Sequence, residues 1–414
     1  MIETAQKSDV LERLNPLIEQ VPDTLTGIER HVKIGEIMES QPDDFRVELR
    51  EYFEQFLLQM NENEASDIDL GGPGCAGHVW YRVHGEKSPA TDDKMFELEQ
   101  TDFLLHNILM PSQREYLLED RNVDFSYSMK MGDGVSQRFR ADMYFDMEHV
   151  ALNMRKIDNE IRPFKGLGLH SEIAKALSLS YYKYGLTLIT GITGSGKSST
   201  LDTIIDANNR TVDAHIVIIA SPVELIHEPK RSIVRHREVG RDVKSFKEGA
   251  VQALRQDPDI IMIGELRDPE TIMTALEITD SGHKTFGTLH TSSAMESIDR
   301  IIGEVPSDEQ NRVRTRLADV LTCVMSQKLI PSLNGGRELA KEIMLNTPPV
   351  QAAIRNDNVS EIYQMLMEGS KHGMMTMEQS LHELHQAGKI SKEEAINNAN
   401  NKKRIKQLLN KTDF

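Results

Sequence analysis

The stretch Leu186-Thr-Leu-Ile-Thr-Gly191-Ile-Thr-Gly-Ser-Gly196-Lys197-Ser198-Ser-Thr200 decides the fold. An apolar run of strand length ends in the spacing Gly-x-x-x-x-Gly-Lys-Ser, and a helix-compatible segment follows it. This pattern is typical of a phosphate-binding loop, whose glycines let successive backbone N–H groups turn toward phosphate oxygens. The alternative, a chance glycine-rich turn, leaves the strand before it and the helix after it unexplained. We therefore predict a site for a nucleoside triphosphate in an α/β domain.

The polar residues of this loop each have a predicted role toward the nucleotide. Lys197 reaches the β- and γ-phosphates, and the Ser198 hydroxyl is a ligand for Mg²⁺. The helix that follows points the positive end of its dipole at the same phosphates. The residues predicted to contact the nucleotide are Thr193, Gly194, Ser195, Gly196, Lys197, Ser198 and Ser199.

Two further apolar runs end in an acid. The run 259–265 ends in Glu265, and an acid at the end of such a strand holds Mg²⁺ through water or directs the attacking water. The run 216–224 ends in Glu224, which can orient or deprotonate the water that attacks the γ-phosphate. Either acid can equally be an exposed loop residue, and the residues alone leave that alternative open.

The segment 282–291 carries two histidines, His283 and His290. Seven residues along a regular strand place the two side chains on opposite faces, and no third ligand is near, so a zinc site is disfavoured. A hydrogen-bonding sensor of the γ-phosphate at the end of the strand is the better interpretation. An ordinary core or surface histidine stays open for each of them.

Composition limits the class of protein. The chain has 414 residues, which suggests two or three domains, and a net charge of −17, which argues against broad nucleic-acid binding. Cys75 and Cys323 stand far apart, so neither a disulfide framework nor a structural zinc site is expected. Because the sequence shows no secretory signal and no apolar run of about 18 residues, we expect no transmembrane segment and a cytoplasmic protein.

Changes in charge and in apolar patterning along the chain suggest five segments. Residues 1–63 are predicted to be an acidic, solvated helical extension, because residues 1–70 carry 17 acidic and 6 basic side chains. Residues 64–150 are predicted to form a small α+β domain, and 151–165 a charged linker. From 166 to 346 short apolar runs alternate with helix-like segments, which indicates an α/β sheet. Residues 347–414 are predicted to be helical and polar.

Taken together, these motifs resemble the superfamily of secretion and pilus ATPases, and within it the pilus retraction ATPases. The resemblance covers about Ala65 to Leu381. It is carried by Arg237-Glu-Val-Gly240, Ala253-Leu-Arg-Gln-Asp-Pro-Asp-Ile-Ile-Met-Ile-Gly-Glu-Leu-Arg-Asp268, Gly282–Thr291 and Ala353-Ile-Arg-Asn356. The phosphate loop, the acid box, the second acid and the histidine box also follow one another in the family's order.

The resemblance implies roles for specific residues. Glu224 matches the family's catalytic glutamate and Glu265 its Walker B acid, which binds Mg²⁺. His283 and His290 match its histidine box, and both are implied to face the nucleotide.

Arginines are implied as well. Arg138 and Arg140 match arginines that the small N-terminal domain contributes to the nucleotide in the closed state. A cation there would offset the charge on the transferring phosphoryl group. Arg300 lies where another family arginine sits near the subunit interface. A surface salt bridge is the alternative for each of the three.

The chain departs from the family at the acid box. The usual Glu-Asp-Pro is Ala220-Ser221-Pro222 here, so two carboxylates are lost while Glu224 is kept. A similar Ser-Pro variant occurs in type IVB secretion ATPases. The change suggests slow turnover and keeps two alternatives open. One is a type II or type IVB secretion or conjugation ATPase, and the other is a low-turnover regulatory paralogue of a retraction ATPase.

The resemblance also implies an architecture and partners. The fold class is α/β, with a RecA-like core, a small PAS-like α+β N-terminal domain and a helical C-terminal tail. The implied assembly is a homo-hexamer that acts on an inner-membrane pilus platform protein at the cytoplasmic face, alongside a paralogous pilus ATPase. Assembly-type motors usually carry a four-cysteine zinc site and a long extra N-terminal domain. Their absence from this sequence favours the retraction type.

Overall fold

The computed structural model describes residues 9–131, 136–157 and 160–410. The chain divides into two compact units, each a mixture of helices and strands. Unit 1 comprises Met1–Asn159 and Ser221–Leu225, and unit 2 comprises Glu160–Ala220 and Ile226–Phe414. None of the helices in the described ranges combines the length and the apolar character that a membrane span requires.

Within the described residues, unit 1 is built on a six-stranded sheet of order β3-β2-β1-β6-β5-β4, in which every neighbouring pair is antiparallel. Residues of β4 and β5 largely alternate between buried and more exposed positions, as expected for a sheet with one covered face. The strands are β1 (Asp67–Gly71), β2 (Trp80–Val83), β3 (Glu86–Pro89), β4 (Asn122–Lys130), β5 (Ser136–Asp146) and β6 (His149–Lys156).

Helices cover one face of this sheet. They are α1 (Asn15–Ile18), α2 (Gly27–Glu39), α3 (Asp43–Glu62), α4 (Leu98–Ile108) and α5 (Pro111–Asp120). Helix α3 carries apolar residues at the spacing of one helical face, and it buries Phe53, Phe56 and Leu57 in the same hydrophobic core as strand residues such as Phe125. Tyr127 on β4 donates from its hydroxyl to Glu54 over 2.7 Å.

Two sequence predictions for this unit are wrong. The segment 9–62 is helical as predicted, but it is not a solvated appendage, because its apolar faces complete the core of unit 1. The acidic composition of this segment reflects the outward faces of its helices. Composition alone therefore does not show that the inward, apolar faces cover the core of unit 1. The linker does not begin at residue 151, since strand β6 continues to Lys156. Residues 1–8, 132–135, 158–159 and 411–414 of the predicted segments lie outside the described residues.

A buried histidine pair joins α2 to α4. The Nε2 of His31 is 2.8 Å from the Glu148 carbonyl and must donate to it, so its Nδ1 accepts from the Nε2–H of His106 at 3.0 Å. Burial lowers the pKa of both imidazoles. The neighbouring carboxylate of Asp102 is bound by Arg30 and His149. Polar contacts therefore fix α2 in place, in addition to the apolar packing.

Across the part of the chain that the structure describes, unit 2 is built on a seven-stranded sheet of order β13-β12-β7-β11-β10-β8-β9. All neighbouring pairs are parallel except β12 and β13, which are antiparallel. The strands are β7 (Gly185–Thr190), β8 (His215–Ala220), β9 (Ile233–Glu238), β10 (Ile260–Ile263), β11 (Lys284–Leu289), β12 (Leu321–Pro331) and β13 (Arg337–Leu345).

Helices cover both faces of the sheet of unit 2, as a parallel sheet requires. Val217 and Ile219 point into one apolar cluster, and Ile216 and Ile218 point into the other. The helices are α6 (Ser171–Leu177), α7 (Lys197–Thr211), α8 (Phe246–Ala253), α9 (Pro269–Asp280), α10 (Ala294–Gly303), α11 (Gln310–Val320), α12 (Pro348–Arg355), α13 (Ile362–Glu368), α14 (Met377–Gln386), α15 (Lys392–Asn398) and α16 (Lys402–Asn410).

The last three helices, α14 to α16, share a separate small apolar cluster with β12 and β13. Met377, Leu381, Ile390 and Ile405 pack there with Ile330. These helices thus rest on the β12–β13 end of the sheet, next to the strands that carry the phosphate loop.

One lysine lies in the apolar interior of unit 2. Lys284, the first residue of β11, is fully buried and donates from Nζ to the Ala176 carbonyl over 2.7 Å. The rings of Phe286 and Tyr182 lie 5.6 and 5.9 Å from the ammonium. Burial lowers the pKa of Lys284 to about 8, because the charged form is poorly solvated there.

Candidate nucleotide-binding site

The predicted phosphate loop lies between a central strand and a long helix. Strand β7 ends at Thr190 and α7 begins at Lys197, so Gly191–Gly196 form the connection. Strand β7 lies between β11 and β12, and the Gly191 N–H donates to the Leu289 carbonyl at the end of β11. The loop therefore stands at the carboxyl edge of the parallel strands, where open α/β sheets bind their ligands.

Glycines shape this loop for separate reasons. Gly191 has φ +149°, and a Cβ atom there would collide with the Ser195 hydroxyl and the Gln327 carbonyl. Gly194 has φ +79° and open space on the side where a side chain would stand. Gly196, at φ +84°, directly precedes the first residue of α7. The backbone is therefore bent around an open cradle of the kind that receives phosphate oxygens, so the residues present fit a nucleotide.

Lys197 bends back over the loop. Its Nζ donates to the carbonyls of Gly191 and Ile192 at 2.8 and 3.2 Å. Thr193 and Gly194 are exposed and Ser198 is half-buried in the first turn of α7, so these positions are open to a ligand from solvent. The Lys197 ammonium and the N-terminus of α7 thus both belong to this loop, and such a combination binds a polyphosphate.

The loop is also held from behind by β12. Gln327 is buried and donates from Nε2 to the carbonyl of Ser195 over 2.7 Å. The Thr190 and Ser326 hydroxyls, both buried, lie 2.7 Å apart at the end of β7. The sequence reasoning missed these supporting residues because they belong to no motif spacing and come from a strand about 130 residues further along the chain.

Glu265 and His290 come together at this edge. Each follows the end of its strand, β10 or β11, and the His290 Nε2 lies 3.5 Å from the Glu265 Oε1. Partial burial and the nearby Lys197 cation lower the pKa of His290, although Glu265 opposes the shift. A neutral imidazole is favoured as a result, and it can accept or donate a single hydrogen bond.

His283 lies elsewhere. It precedes β11 and its backbone carbonyl accepts from Gly185 at the start of β7, so it stands at the amino edge of the sheet. The length of β11 separates it from His290 by roughly 20 Å at the usual strand rise. Its ring contacts the Ser281 hydroxyl at 3.0 Å. The prediction that both histidines face the nucleotide is therefore wrong for His283 within one chain, because a strand places its two ends at opposite edges.

Four predicted site residues remain. Arg300 belongs to unit 2, and Arg138, Arg140 and Glu224 belong to unit 1. Arg300, on α10, pairs with Glu304 at 2.6 Å and is more than half exposed. Arg138 and Arg140 alternate with buried Phe139 on β5 and so share one face, as strand geometry requires. The Nη2 of Arg138 donates over 2.6 Å to the carbonyl of Val223, the residue before Glu224. Glu224 belongs to the segment Ser221–Leu225, which groups with unit 1.

Among residues 9–131, 136–157 and 160–410, no group of three or more His, Cys, Asp or Glu side chains is arranged to hold a metal ion. A hydroxyl at Ser198 and an acid at Glu265 fit Mg²⁺, which is usually bound by one or two protein oxygens together with substrate phosphates.

Comparison with known proteins gives consistent similarities. The family model described as "Type II/IV secretion system protein" matches residues 49–413. The chain is 40% identical over 299 residues to the type IV pilus retraction ATPase PilT of Pseudomonas aeruginosa, covering 72% of this chain and 85% of that protein. It is 36% identical over 346 residues to a twitching motility protein of Neisseria gonorrhoeae, covering 83% and 90%.

Similarity extends to a solved structure. The crystal structure of the pilus retraction motor PilT with bound ADP matches with a TM-score of 0.75 and 36% identity. The match covers 85% of this chain and 98% of that one.

Proposed function

Since the chain belongs to the type II/IV secretion system protein family, we propose that it hydrolyses ATP to drive the retraction of a type IV pilus. One observation supports this more than any other. The phosphate loop has an open glycine cradle, an ammonium at Lys197 and a helix N-terminus, in a chain similar over most of its length to a retraction motor crystallised with ADP.

Each residue at the loop has a separate role in phosphoryl transfer in this proposal. Backbone N–H groups of 193–198 bind the phosphate oxygens, and Lys197 leaves its carbonyl partners to bind the β- and γ-phosphates. Ser198 and Glu265 would hold Mg²⁺, which would supply positive charge to offset that of the phosphate oxygens. His290, poised beside Glu265, donates a hydrogen bond to the γ-phosphate or to the water near it.

Residues of unit 1 complete the site in this proposal. Glu224 accepts the proton of the attacking water, and Arg138 and Arg140 offset the charge of the transferring group in a closed state. Arg300 lies near a subunit interface. These roles are carried over from the family by position. The contact of Arg138 with the backbone next to Glu224 supports the assignment of both to one site.

The proposed assembly is a homo-hexamer at the cytoplasmic face of the inner membrane. In it, unit 2 is a RecA-like ATPase domain and unit 1 a PAS-like domain extended by the helices α1 to α3. Cycles of hydrolysis would change the angle between the two units and pass the motion to a pilus platform protein. A paralogous pilus ATPase is the further partner proposed.

ATP hydrolysis by the purified protein is the first test. Phosphate release that requires both ATP and Mg²⁺ is expected, and chelation by EDTA should stop it. A protein that binds ATP but does not turn it over would favour the low-turnover regulatory paralogue, to which the loss of two carboxylates at Ala220 and Ser221 also points.

A deletion strain tests the direction of the motor. We expect the strain to keep or gain surface pili, counted by electron microscopy, while it loses twitching. A strain without pili would show an assembly motor. A strain in which pili and twitching are both normal would favour the secretion or conjugation ATPase.

A further inference from the structure

A buried carboxylate on β13 binds the first residues of two helices. Glu342 is 1% exposed, and its Oε1 accepts from the backbone N–H of Ala294 at 2.8 Å. The backbone N–H of Met377 also donates to this carboxylate. Ala294 begins α10 and Met377 begins α14. One acid therefore connects the starts of two helices that are about 80 residues apart in the sequence.

The physical reason for an acid at this point is the chemistry of helix starts. The first N–H groups of a helix have no partner within it, and the helix dipole is positive there, so a carboxylate is a strong acceptor. Burial nevertheless raises the pKa of Glu342 to about 7, and Glu378 nearby adds to the shift. An apolar side chain would avoid that cost, so packing alone does not explain the acid.

On the α10 side, Glu342 holds the loop that carries His290. Only residues 290–293 separate the end of β11 from Ala294. The Thr291 hydroxyl lies 2.7 Å from that of Ser297, and the Ser292 N–H donates to Glu296 over 2.7 Å. Both partners lie on α10. The backbone of His290 is therefore set by where the first turn of α10 stands.

On the other side, the same cluster reaches the C-terminal helices. Asn400, between α15 and α16, donates from Nδ2 to the Ser292 carbonyl over 3.1 Å. Glu378, in the first turn of α14, accepts from the Asn401 N–H at 2.7 Å. Lys328 of β12 donates from Nζ to the Asn400 side chain, also at 2.7 Å. The loop of His290 is thus in direct contact with the segment between α15 and α16.

We propose that Glu342 is a positioning residue for ATP hydrolysis, through which the C-terminal helices set the place of His290 beside Glu265. Glu342 touches no nucleotide in this proposal and acts through the start of α10. Displacement of α14 moves the carboxylate, and with it the loop 290–293. The proposal rests on the proposed ATPase function and adds to it a route by which a partner bound to the C-terminal helices alters turnover.

The principal test is Glu342→Gln, which keeps the shape but places an NH₂ group against one of the two backbone donors. We expect kcat to fall on the order of 10- to 100-fold, since small misplacements of catalytic groups have effects of this size. The KM for ATP and the affinity for a non-hydrolysable analogue should change less than about 3-fold, because the phosphate loop itself is untouched. Hydrogen exchange of the peptide spanning 286–296 should become faster.

Glu338→Gln is the matched control. Glu338 lies on the same strand, four residues earlier, and pairs only at the surface with Lys389 at 3.1 Å. It should leave kcat and the exchange of 286–296 unchanged. If both Gln variants lower kcat alike, or if Glu342→Gln changes KM and kcat together without faster exchange, the positioning role is wrong.

A second variant guards against misfolding. Asn400→Ala removes the contact with Ser292 from an exposed position, and it should lower kcat about 2- to 5-fold with an unchanged melting temperature. Unchanged kcat in this variant would refute the coupling to the C-terminal helices. Wild-type protein without ATPase activity would instead refute the proposed function, and the exchange of 286–296 in Glu342→Gln would still decide whether the acid fixes the loop.

Discussion

Replacing Lys284 by methionine should stabilise unit 2 at neutral pH, in a way that depends on pH. The ammonium is fully buried, and a single carbonyl and two aromatic rings are close to it. Burial lowers the pKa of Lys284 from its ordinary value of 10.5 to about 8. At about 1.4 kcal/mol per pKa unit, the charged form costs the folded state about 3 kcal/mol at pH 7.

The direction of the pH dependence of stability follows from which state, folded or unfolded, binds the proton more tightly. Between pH 8 and 10.5 the unfolded chain holds a proton on Lys284 that the folded chain has lost, so stability rises with pH across this window. Below about pH 8 the cost is present in full. Methionine has a similar length and no charge, so its variant lacks this dependence. It also leaves the Ala176 carbonyl without its donor, which offsets the gain by about 1–3 kcal/mol.

The assay is urea unfolding of wild type and Lys284→Met, followed by circular dichroism at several pH values, because the single tryptophan, Trp80, lies in unit 1 and does not report on unit 2. The difference in free energy of unfolding should shift by about 3 kcal/mol in favour of wild type between pH 7 and pH 10.5. Other titrating groups are shared by the two proteins and cancel, except the buried thiol of Cys323, whose pKa Lys284 lowers. Lys183→Met, an exposed lysine nearby, is the control and should give a flat difference within about 0.5 kcal/mol. A flat difference for Lys284→Met as well would refute the reasoning.

Four further predictions concern the site and unit 1. Lys197→Ala should abolish hydrolysis and weaken ATP binding, because it removes the cation placed to compensate the γ-phosphate charge; phosphate release near the wild-type rate would contradict the loop assignment. Glu224→Gln should keep ATP binding, measured by fluorescent-nucleotide titration, but stop turnover, and normal turnover would show that this acid is vestigial. Arg138→Ala and Arg140→Ala should each lower kcat more than they change KM in steady-state assays; if neither variant slows turnover, the role assigned to these arginines is wrong. Phe53→Ala should destabilise unit 1 by about 3–5 kcal/mol in urea unfolding, because the ring is fully buried against Tyr127, and an unchanged midpoint would mean that α3 is not part of this core.

Local patterns predicted the elements around the phosphate loop well. The apolar run 186–190 is β7, and the run 260–263 is β10, with Glu265 just beyond its end. Asp268 caps α9 through its side chain, with Pro269 in the first turn, as the sequence indicates. Such features depend on residues close together in the chain, so a single sequence contains the information for them.

Features that depend on distant partners could not be predicted in this way. The helical spacing of 45–60 indicates a helix, yet nothing local shows that its apolar face completes the core of unit 1. Gln327 and Glu342 lie in ordinary strands, and their importance comes from the backbone groups that the fold brings to them. In the sequence, a lysine at the start of a strand suggests an exposed side chain. Lys284 is nevertheless buried, because helix α6 covers the start of β11.

The position of His283 and His290 at opposite ends of β11 has a mechanical consequence. Strand β11 is hydrogen-bonded along its length to β7 on one side and to β10 on the other. Sliding or stretching β11 would break the hydrogen bonds to both neighbouring strands. We therefore expect the distance between its two ends to stay constant. A force applied at the nucleotide edge therefore reaches the far edge undiminished, as a tilt of the whole sheet. In the proposed motor, we expect unit 2 to move with little internal deformation of its sheet.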